Sequence, residues 1–293
     1  MKKILLDTDI GCDMDDMQAL AYLLARDDAE ILGITTVTGE AAVRAELADM
    51  MCRLAEKKVP VYVGYSRTLK GEMFIQRSVS EGEKALLGEF PHGEYSEDNP
   101  SAAIDFLHET IAANPGEITL CAIGPLTNIA KLFERYPDTP QKLGKLIIMG
   151  GRFGAVDTKR WGEEEWNIIN DIDAAKAVFE TPVPDVAAFG VELTSLVYRT
   201  DVLKLSEESE NCRMLIPFSH AIRTSKDAWY HDAVAVAALF FTDGMEFERG
   251  RINVTPTGGT QFTQCSDGNV LLLTELDTEL FLSHFYSVTG ISR

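Results

Sequence analysis

Five aspartates fall within ten positions near the start of the chain, directly behind a short apolar run. They belong to the segment DTDIGCDMDD, residues 7–16. Two carboxylates about 4 Å apart repel each other by roughly 4 kcal/mol at an effective dielectric constant of 20, whereas a helix N-terminus returns only about 0.3–1 kcal/mol per acidic group. Helix capping therefore accounts for one or two of these aspartates, and the others predict a bound cation.

The residue types in this cluster favour a hard metal ion. Carboxylate oxygens select Ca²⁺ or Mg²⁺ over zinc or copper. Gly11 permits a sharp turn between Asp9 and the following helix, so that Asp9 and Asp16 can face one ion. The spacing does not fit an EF-hand, because counted from Asp7 the sixth position holds Cys12 where that loop requires glycine.

Apolar runs of strand length alternate with amphipathic stretches along the first two thirds of the chain. Strands are predicted at KKILLDTD (2–9), AEILGITTVTG (29–39), VPVYVGY (59–65), EITLCAIG (117–124), KLIIMGG (145–151) and PDVAAFGVE (184–192). Helices are predicted at 15–26, 40–57, 101–113, 126–136 and 171–180, and an irregular segment at 66–99. This alternation predicts an α/β fold, a single domain over residues 1–293 with a mostly parallel central sheet flanked by helices.

Three segments that could do chemistry come directly after predicted strands. They are residues 7–16, IGPLTN (123–128) and GGRFGA (150–155). Ligands of open parallel sheets bind at the carboxyl ends of the strands. We therefore expect the three segments to converge on one site.

Composition narrows the class of protein. The chain has 293 residues and a formal net charge of −19, which argues against a nucleic acid or an anionic membrane surface as its partner. Its longest apolar run, residues 233–241, is too short to span a membrane. The five cysteines contain no CxxC pair, a pattern typical of reduced thiols in a cytoplasmic protein.

With these residues established, the chain resembles the inosine–uridine-preferring nucleoside hydrolase family. That family opens with a strand and the motif Asp-x-Asp-Pro-Gly-x-Asp-Asp. The segment DTDIGCDMDD is similar, with Ile10 in place of the proline and two additional residues before the last aspartate pair. Further similarities follow in the family's order at GITTVTG (33–39), GPLTNIA (124–130), IIMGG (147–151), EWNIINDIDAA (165–175) and HDAVAVA (231–237). The resemblance covers the whole chain and implies the family's Rossmann-like fold.

The resemblance implies Ca²⁺-dependent hydrolysis of the N-glycosidic bond of ribonucleosides, which yields ribose and free base. One Ca²⁺ per chain would be held by Asp9, Asp16, Asp232 and the main-chain carbonyl of Ile123. Asp9 would also take a proton from a metal-bound water. That water would attack C1′ through an oxocarbenium-like transition state. The resemblance also suggests a homodimer or a homotetramer.

By the same resemblance, ribose hydroxyls would contact Asp15, Glu165, Asn167 and Asp232. Residues 165 and 167 would point to the same side of an extended segment. The neighbouring Asn170 and Asp171 are predicted to cap the helix that follows.

Two interpretations of leaving-group activation stay open. His231 would protonate the departing base, for which a pKa near neutrality is suited. Aromatic stacking against the base is the alternative. The aromatic side chains that could supply it are Trp161, Trp166, Trp229 and Tyr230.

The sequence also departs from the family pattern. Glu40 stands where the family commonly has asparagine, and a His-Gly-x-x-Gly loop is missing near residue 80. The preference for purine or pyrimidine nucleosides is therefore open. Cys12 is expected to be an inert thiol, because surrounding carboxylates raise a thiol pKa, and Asp13 has no assigned role.

Two other classes of function compete with the nucleoside hydrolase. A Mg²⁺-dependent phosphatase of the haloacid dehalogenase type also begins with Asp-x-Asp at a strand end, and Asp7 would then be the nucleophile. A non-catalytic protein that binds Ca²⁺ or nucleosides on the same scaffold is the third hypothesis. In the hydrolase, Asp7 would instead support the aspartate segment from beneath.

Overall fold

A nine-stranded sheet forms the centre of the computed structural model, which describes residues 1–75, 78–156, 164–210, 212, 215–222 and 228–291. Seven neighbouring strands are parallel: β1 (Lys2–Thr8), β2 (Ala29–Thr36), β3 (Val61–Val63), β4 (Ile118–Ala122), β5 (Lys145–Met149), β6 (Val186–Phe189) and β11 (Val270–Leu276). Their order is β3-β2-β1-β4-β5-β6-β11. The predicted α/β fold with a mostly parallel sheet is confirmed, whereas the division into domains stays a prediction.

The sheet continues into an antiparallel extension that the sequence did not predict. Strand β9 (Met245–Val254) pairs antiparallel with β11, and β10 (Thr260–Gln264) pairs antiparallel with β9. Buried and exposed residues are mixed along β9, as is common in antiparallel strands with one solvated face. Such a strand lacks the continuous apolar run by which the parallel strands were recognised.

Helices connect the strands and cover both faces of the sheet. They are α1 (Asp15–Leu24), α2 (Ala41–Leu54), α3 (Glu81–Leu87), α4 (Ser101–Ala113), α5 (Thr127–Arg135), α6 (Trp166–Asn170), α7 (Ile172–Glu180), α8 (Val191–Thr194), α9 (Val202–Ser209), α10 (Ile216–Ile222), α11 (His231–Ala237) and α12 (Thr278–Thr289). A 3₁₀ turn at Thr139–Lys142 and a small antiparallel sheet of β7 (Tyr198–Arg199) and β8 (Ala228–Trp229) complete the described elements. In the part of the chain that the structure describes, no helix is long and apolar enough to cross a membrane.

Strand β1 shows how the two faces are packed. Ile4 and Leu6 belong to one apolar core and Leu5 to the other, because successive side chains of a strand point to opposite faces. Helices α1, α11 and α12 contribute to the first core, and α4, α5 and α7 to the second. Buried on both faces, β1 is held rigidly, and its carboxyl end is a fixed base for the aspartate segment.

The strand order also locates a crevice. From β1 the chain proceeds to β2 and β3 on one side, and then crosses to β4 on the other side of β1. Connections that leave in opposite directions open a crevice between the carboxyl ends of β1 and β4. The aspartate segment follows β1 and residues 123–128 follow β4, so both lie at this crevice.

Candidate active site

A cleft opens at the carboxyl ends of the parallel strands, where ligands of open α/β sheets bind. All eight residues proposed from the sequence line it: Asp9, Asp15, Asp16, Ile123, Glu165, Asn167, His231 and Asp232. They come from four separate stretches of the chain. The structure therefore brings the whole predicted set into one site, while the role of each residue stays a prediction.

Residues 9–16 form a tight loop between β1 and α1. Gly11 has φ +116°, and a Cβ there would lie 2.9 Å from Val79 Cγ1, so both conformation and space favour glycine. The Ile10 amide donates to Thr8 Oγ1 over 3.1 Å, and the Thr8 hydroxyl donates to Asp16 Oδ1. These bonds fold the loop back onto the end of β1 and bring Asp16 over the strand.

The position of the Asp9 carboxylate depends on Gly124, which follows β4 and lies directly against it. A Cβ on Gly124 would lie 2.8 Å from Asp9 Oδ1 and 2.9 Å from the Asp9 amide nitrogen. A side chain at position 124 would therefore displace the Asp9 carboxylate. This contact explains why the segment after β4 begins with glycine beyond Ile123.

Three carboxylates converge in the cleft. Each of Asp15, Asp16 and Asp232 offers one oxygen, and these oxygens lie within 4.8 Å of one another. Asp16 and Asp232 are predicted metal ligands, whereas Asp15 was assigned to the sugar. Asp9 lines the same cleft outside this group of three.

Burial and mutual repulsion act together on this cluster. The three carboxylates are nearly inaccessible to solvent, and burial, reinforced by the neighbouring aspartates, raises the pKa of each well above its usual value. Burial also raises the pKa of Asp9 to about 6. A buried group of acids without an added cation is unfavourable. The all-oxygen donor set fits Ca²⁺ or Mg²⁺.

The Ile123 carbonyl lies in the same cleft and accepts a hydrogen bond from Asn167 Nδ2 over 2.9 Å. The second Nδ2 hydrogen of Asn167 goes to the Met149 carbonyl over 3.1 Å. A carbonyl oxygen has two lone pairs, so the Ile123 oxygen retains capacity for an ion. The Asn167 amide thereby ties the ends of β4 and β5 together.

The expectation that residues 165–167 are extended is wrong. Glu165 is the N-cap of α6, and its carboxylate accepts from the backbone amides of Asn167 (2.8 Å), Ile168 (3.1 Å) and Gly151 (2.9 Å). Capping by the side chain favours helix initiation immediately after Glu165. Burial raises the pKa of Glu165 to about 7, and these three hydrogen bonds oppose the shift.

The two residues at the end of α6 behave differently from each other. Asp171 caps α7 by accepting from the Ala174 amide over 3.1 Å, as predicted. Asn170 is not a cap. Its Nδ2 donates to the Trp166 carbonyl and its Oδ1 accepts from the Ile75 amide, so it ties α6 to the segment before residue 76.

His231 lies at the first position of α11, as expected, but its pKa does not lie near neutrality. Burial lowers the pKa of His231 to about 3, because removal from water disfavours the imidazolium. Its Nδ1 lies 2.8 Å from Thr194 Oγ1 in a buried hydrogen bond. The imidazole is therefore neutral at physiological pH.

Of the aromatic residues proposed for stacking, Trp166 lines the cleft and is 38% exposed. Tyr230 is fully buried and packs against Phe281 and Phe285. Trp229 stacks on Tyr198 in the small sheet. Trp161 lies outside the described residues.

Asp7 lies beneath the loop rather than in the cleft. It is fully buried, and its Oδ1 accepts from the Thr35 hydroxyl over 2.5 Å and from Asn128 Nδ2 over 2.7 Å. Burial raises the pKa of Asp7 to about 7. These contacts link β1 to β2 and α5, and they leave Asp7 poorly placed to attack a substrate.

Several residues at the cleft were missed or left without a role. Cys12, Asp13, Met149 and Val191 also line it. Burial raises the pKa of the Cys12 thiol, and the negative charge of Asp9 adds to the shift, so the predicted inert thiol agrees with the structure. Asp13 was visible as part of the acidic run, whereas Met149 and Val191 carry no chemical signal in the sequence.

Glu40 also has a definite place, which the sequence left open. It adopts a left-handed conformation with φ 61° before α2. Its carboxylate accepts from the Val79 amide over 2.7 Å and from Lys84 Nζ over 2.9 Å. Glu40 therefore fastens α3 to the start of α2.

Fold and site together define a class: an α/β protein whose parallel strand ends carry an acid-lined ligand cleft suited to a divalent cation. Comparison with known proteins is more specific. The family model described as inosine-uridine preferring nucleoside hydrolase matches residues 4–283. The chain belongs to this family, and the prediction of an enzyme of the nucleoside hydrolase class is confirmed.

Similar proteins are found among both sequences and structures. The chain is 30% identical over 276 residues to uridine nucleosidase 1 of Arabidopsis thaliana, an alignment that covers 88% of this chain and 79% of the relative. It is 27% identical over 286 residues to the pyrimidine-specific ribonucleoside hydrolase RihB of Escherichia coli, covering 92% and 89%. The plant nucleoside hydrolase PpNRh1 has a similar structure, with a TM-score of 0.77, 25% identity and 99% of each chain covered.

Proposed function

We propose that this chain is a Ca²⁺-dependent ribonucleoside hydrolase, which cleaves the N-glycosidic bond and releases ribose and free base. The observation that carries the proposal is the convergence of eight residues, proposed from the sequence alone, on one acid-lined cleft. Family membership favours this activity over the phosphatase. The buried position of Asp7 also argues against a phosphatase nucleophile.

The charge of the cleft supports an uncharged nucleoside as the substrate. Among its described lining residues there are six carboxylates and no lysine or arginine. A phosphate group would be repelled by these carboxylates, since phosphate binding requires cations or free backbone amides. Because the relatives include a uridine nucleosidase and a pyrimidine-specific hydrolase, we propose uridine as the first substrate to test.

The cation would be held by Asp9, Asp16, Asp232 and the Ile123 carbonyl, with Asp15 beside them. When bound, Ca²⁺ lowers the pKa of an adjacent water. Asp9 would accept the proton as that water attacks C1′. Gly124 supports this role, because its lack of a side chain leaves room for the Asp9 carboxylate at the crevice.

Ribose would be bound by Asp15, Glu165, Asn167 and Asp232. The three backbone amides that bond Glu165 fix its carboxylate, which favours a rigid sugar contact. Asn167 uses its Nδ2 on two carbonyls and would contact a hydroxyl through Oδ1. The sugar would thereby be oriented by residues that also tie the strand ends together.

His231 would assist the departing base through Nε2, because Thr194 bonds its Nδ1. In the tautomer in which the Thr194 hydroxyl donates to Nδ1, the neutral imidazole carries its hydrogen on Nε2 and would donate it to the base. Trp166, exposed in the cleft, would stack against the base. We further propose a homodimer or homotetramer in the cytoplasm, where the five free cysteines would stay reduced.

A substrate panel tests the proposal. Uridine, cytidine, inosine and uridine 5′-monophosphate are incubated with the enzyme in Ca²⁺, in Mg²⁺ and in chelator, and base and phosphate release are measured. We expect base release from at least one nucleoside, loss of that release in chelator, and no phosphate. Phosphate release, or turnover that persists in chelator, would contradict the proposal. Thermal stabilisation by uridine without turnover would indicate the non-catalytic binding protein.

A further inference from the structure

Arg44 is the largest fully buried side chain of the described residues, with 0% of its surface exposed. It lies in the first turn of α2 and does not line the cleft. Charged side chains are rarely buried without a specific partner. The partners of this guanidinium therefore indicate what it does.

Besides a hydrogen bond with the Cys12 thiol, the hydrogen bonds of Arg44 go to backbone carbonyls of two loops. Nη1 donates to the Asp9 carbonyl and, over 3.0 Å, to the Ile10 carbonyl. Nε donates to the Gly39 carbonyl over 3.0 Å. The planar guanidinium thus joins the loop of residues 9–16, hereafter the aspartate loop, to the loop after β2.

A third donor completes the arrangement on the aspartate loop. The Ser80 amide, next to α3, donates to the Gly11 carbonyl over 2.8 Å. The carbonyls of residues 9, 10 and 11 are therefore each bonded by a donor from outside the loop. Without these bonds, binding of the ion would have to order the loop, and the lost conformational entropy of the loop would weaken ion binding.

The loop after β2 is bent to meet Arg44. Thr38 has φ 78° and Glu40 has φ 61°, on either side of Gly39. Left-handed conformations of residues other than glycine are unfavourable and persist where surrounding structure requires them. Their position flanking the bonded carbonyl of Gly39 connects this strain with the Arg44 contact.

We propose that Arg44 is a positioning residue, which holds the loop of residues 9–11 in the conformation that presents Asp9 and the first turn of α1 to the cation. The inference deepens the proposed function and rests on its cation site. Arginine suits the role better than lysine, because the guanidinium carries several donors in a fixed plane. Its hydrogen bonds go to backbone carbonyls and to the Cys12 thiol, so it orders the loop, and its charge also lowers the pKa of Asp9 and Asp16, which burial raises.

The sign of the effect on metal affinity separates positioning from simple electrostatics. A positive charge near a cation site repels the cation, so electrostatics alone predicts that its removal tightens binding once the ligand carboxylates are ionised. Loss of the bonds that order the loop predicts the opposite. We expect the loop effect to be larger, because hydrogen bonds from a charged donor to buried carbonyls are among the stronger ones. Because Arg44 also lowers the pKa of Asp9 and Asp16, against the effect of burial, the variants are compared at the high-pH limit of the dissociation constant, where protons no longer compete with Ca²⁺.

The test is the Ca²⁺ dissociation constant of the full chain, measured by isothermal titration calorimetry without substrate. We expect Arg44→Met to weaken binding by about tenfold or more, and Arg44→Lys to give an intermediate value. Arg53→Met is the matched control, since Arg53 lies on the same helix, is half-exposed and pairs with Asp49 away from the cleft. We expect the control to bind like the wild type.

Ca²⁺ binding by folded Arg44→Met that equals or exceeds the wild type would overturn the inference. If Arg44→Met does not fold, Arg44→Lys decides, and a dissociation constant equal to that of the wild type would overturn it. Activity is scored separately. A wild type that binds Ca²⁺ in an Arg44-dependent way but hydrolyses no nucleoside contradicts the proposed function and leaves this inference standing.

Discussion

Two groups of buried acids at the carboxyl end of the sheet differ in how their charge is stabilised: the cluster of Asp15, Asp16 and Asp232, and the α6–α7 segment with Glu165 and Asp171. In the α6–α7 segment, hydrogen-bond donors of the protein stabilise the buried carboxylates. Glu165 accepts three backbone amides. Asp171 accepts from the Leu69 and Ala174 amides and from the Thr127 hydroxyl.

The aspartate cluster is compensated far less. Asp16 accepts from the Thr8 hydroxyl, and the ionised form of each carboxylate in the cluster is further destabilised by the charges of neighbouring aspartates. Both groups are buried, but after burial the largest influence on the pKa is a hydrogen bond at Glu165 and Asp171 and a like charge at Asp15, Asp16 and Asp232. Burial of an acid alone is thus a weak indicator of a metal site, whereas buried acids that face one another with few donors are a strong one.

The largest effect is expected for Asp9→Ala. If Asp9 is the base in the cleft, its removal should lower the rate of uridine hydrolysis by about 1,000-fold. Circular dichroism should show an unchanged fold. Asp27→Ala, at an exposed aspartate after α1, is the control and should keep full activity. A rate within about tenfold of the wild type would exclude Asp9 as the base.

Glu83, on α3, is another buried acid with few hydrogen-bond donors, and it tests whether burial without donors costs stability. Its Oε2 accepts from the Ser80 hydroxyl over 2.8 Å, its Oε1 has no hydrogen-bond partner, and burial raises its pKa to about 7 from 4.5. The raised value means that Glu83 costs no stability below pH 4.5, destabilises the fold increasingly as the pH rises from 4.5 to 7, and has its full effect above pH 7. Glu83→Gln should therefore raise the free energy of unfolding at pH 8.5 by up to about 3 kcal/mol and change it little at pH 4.5.

Urea denaturation at the two pH values measures this difference. Glu81→Gln, at an exposed position of the same helix, should show no such pH-dependent gain. Equal gains for Glu83→Gln at both pH values would mean that the ionisation of Glu83 is not the cause.

A pair of isosteric variants compares the two acid groups directly. Asp16→Asn removes charge from the cluster and should weaken Ca²⁺ binding by about 100-fold, because a carboxylate ligand becomes neutral. Asp171→Asn should leave the dissociation constant within about twofold and should instead lower stability by about 1 kcal/mol through its lost hydrogen bond. Calorimetric titration and urea denaturation provide the two readouts. Equal losses of Ca²⁺ affinity in both variants would contradict the claim that the aspartate cluster binds the ion and the α6–α7 segment does not.

The smallest effect is the response of thermal stability to metal and pH. Ca²⁺ at ten times its dissociation constant should add about 1.4 kcal/mol, which raises the melting temperature by roughly 3–6 °C. Since the pKa values of Asp15, Asp16 and Asp232 are raised, protons compete with the ion. The protein in chelator should therefore lose stability as the pH rises from 5 to 8. The increase in the free energy of unfolding on adding Ca²⁺ should be larger at pH 8 than at pH 5. Differential scanning calorimetry with and without chelator measures both trends; a larger gain at pH 5 would contradict this explanation.

Much of the fold and most of the cleft were predictable from the sequence, because their signals are local. Parallel strands buried on both faces read as continuous apolar runs, and helix α4 was predicted with the bounds that the structure has. The aspartate segment was recognisable because close carboxylates require compensation wherever they lie. The order of the segments then indicated that the strand ends would bring them together.

The tertiary structure decided what depends on residues distant in sequence. The strand β9 is half exposed and was missed for lack of an apolar run. The capping of α6 by Glu165 depends on a hydrogen bond from Gly151 as well as on its local amides. The low pKa of His231 comes from burial. Arg44 looked like an ordinary helix residue until the fold placed its guanidinium against the carbonyls of two loops. Hydrophobic periodicity and charge spacing can be read from the sequence because they are local, whereas desolvation and long-range hydrogen bonds arise only in the folded chain.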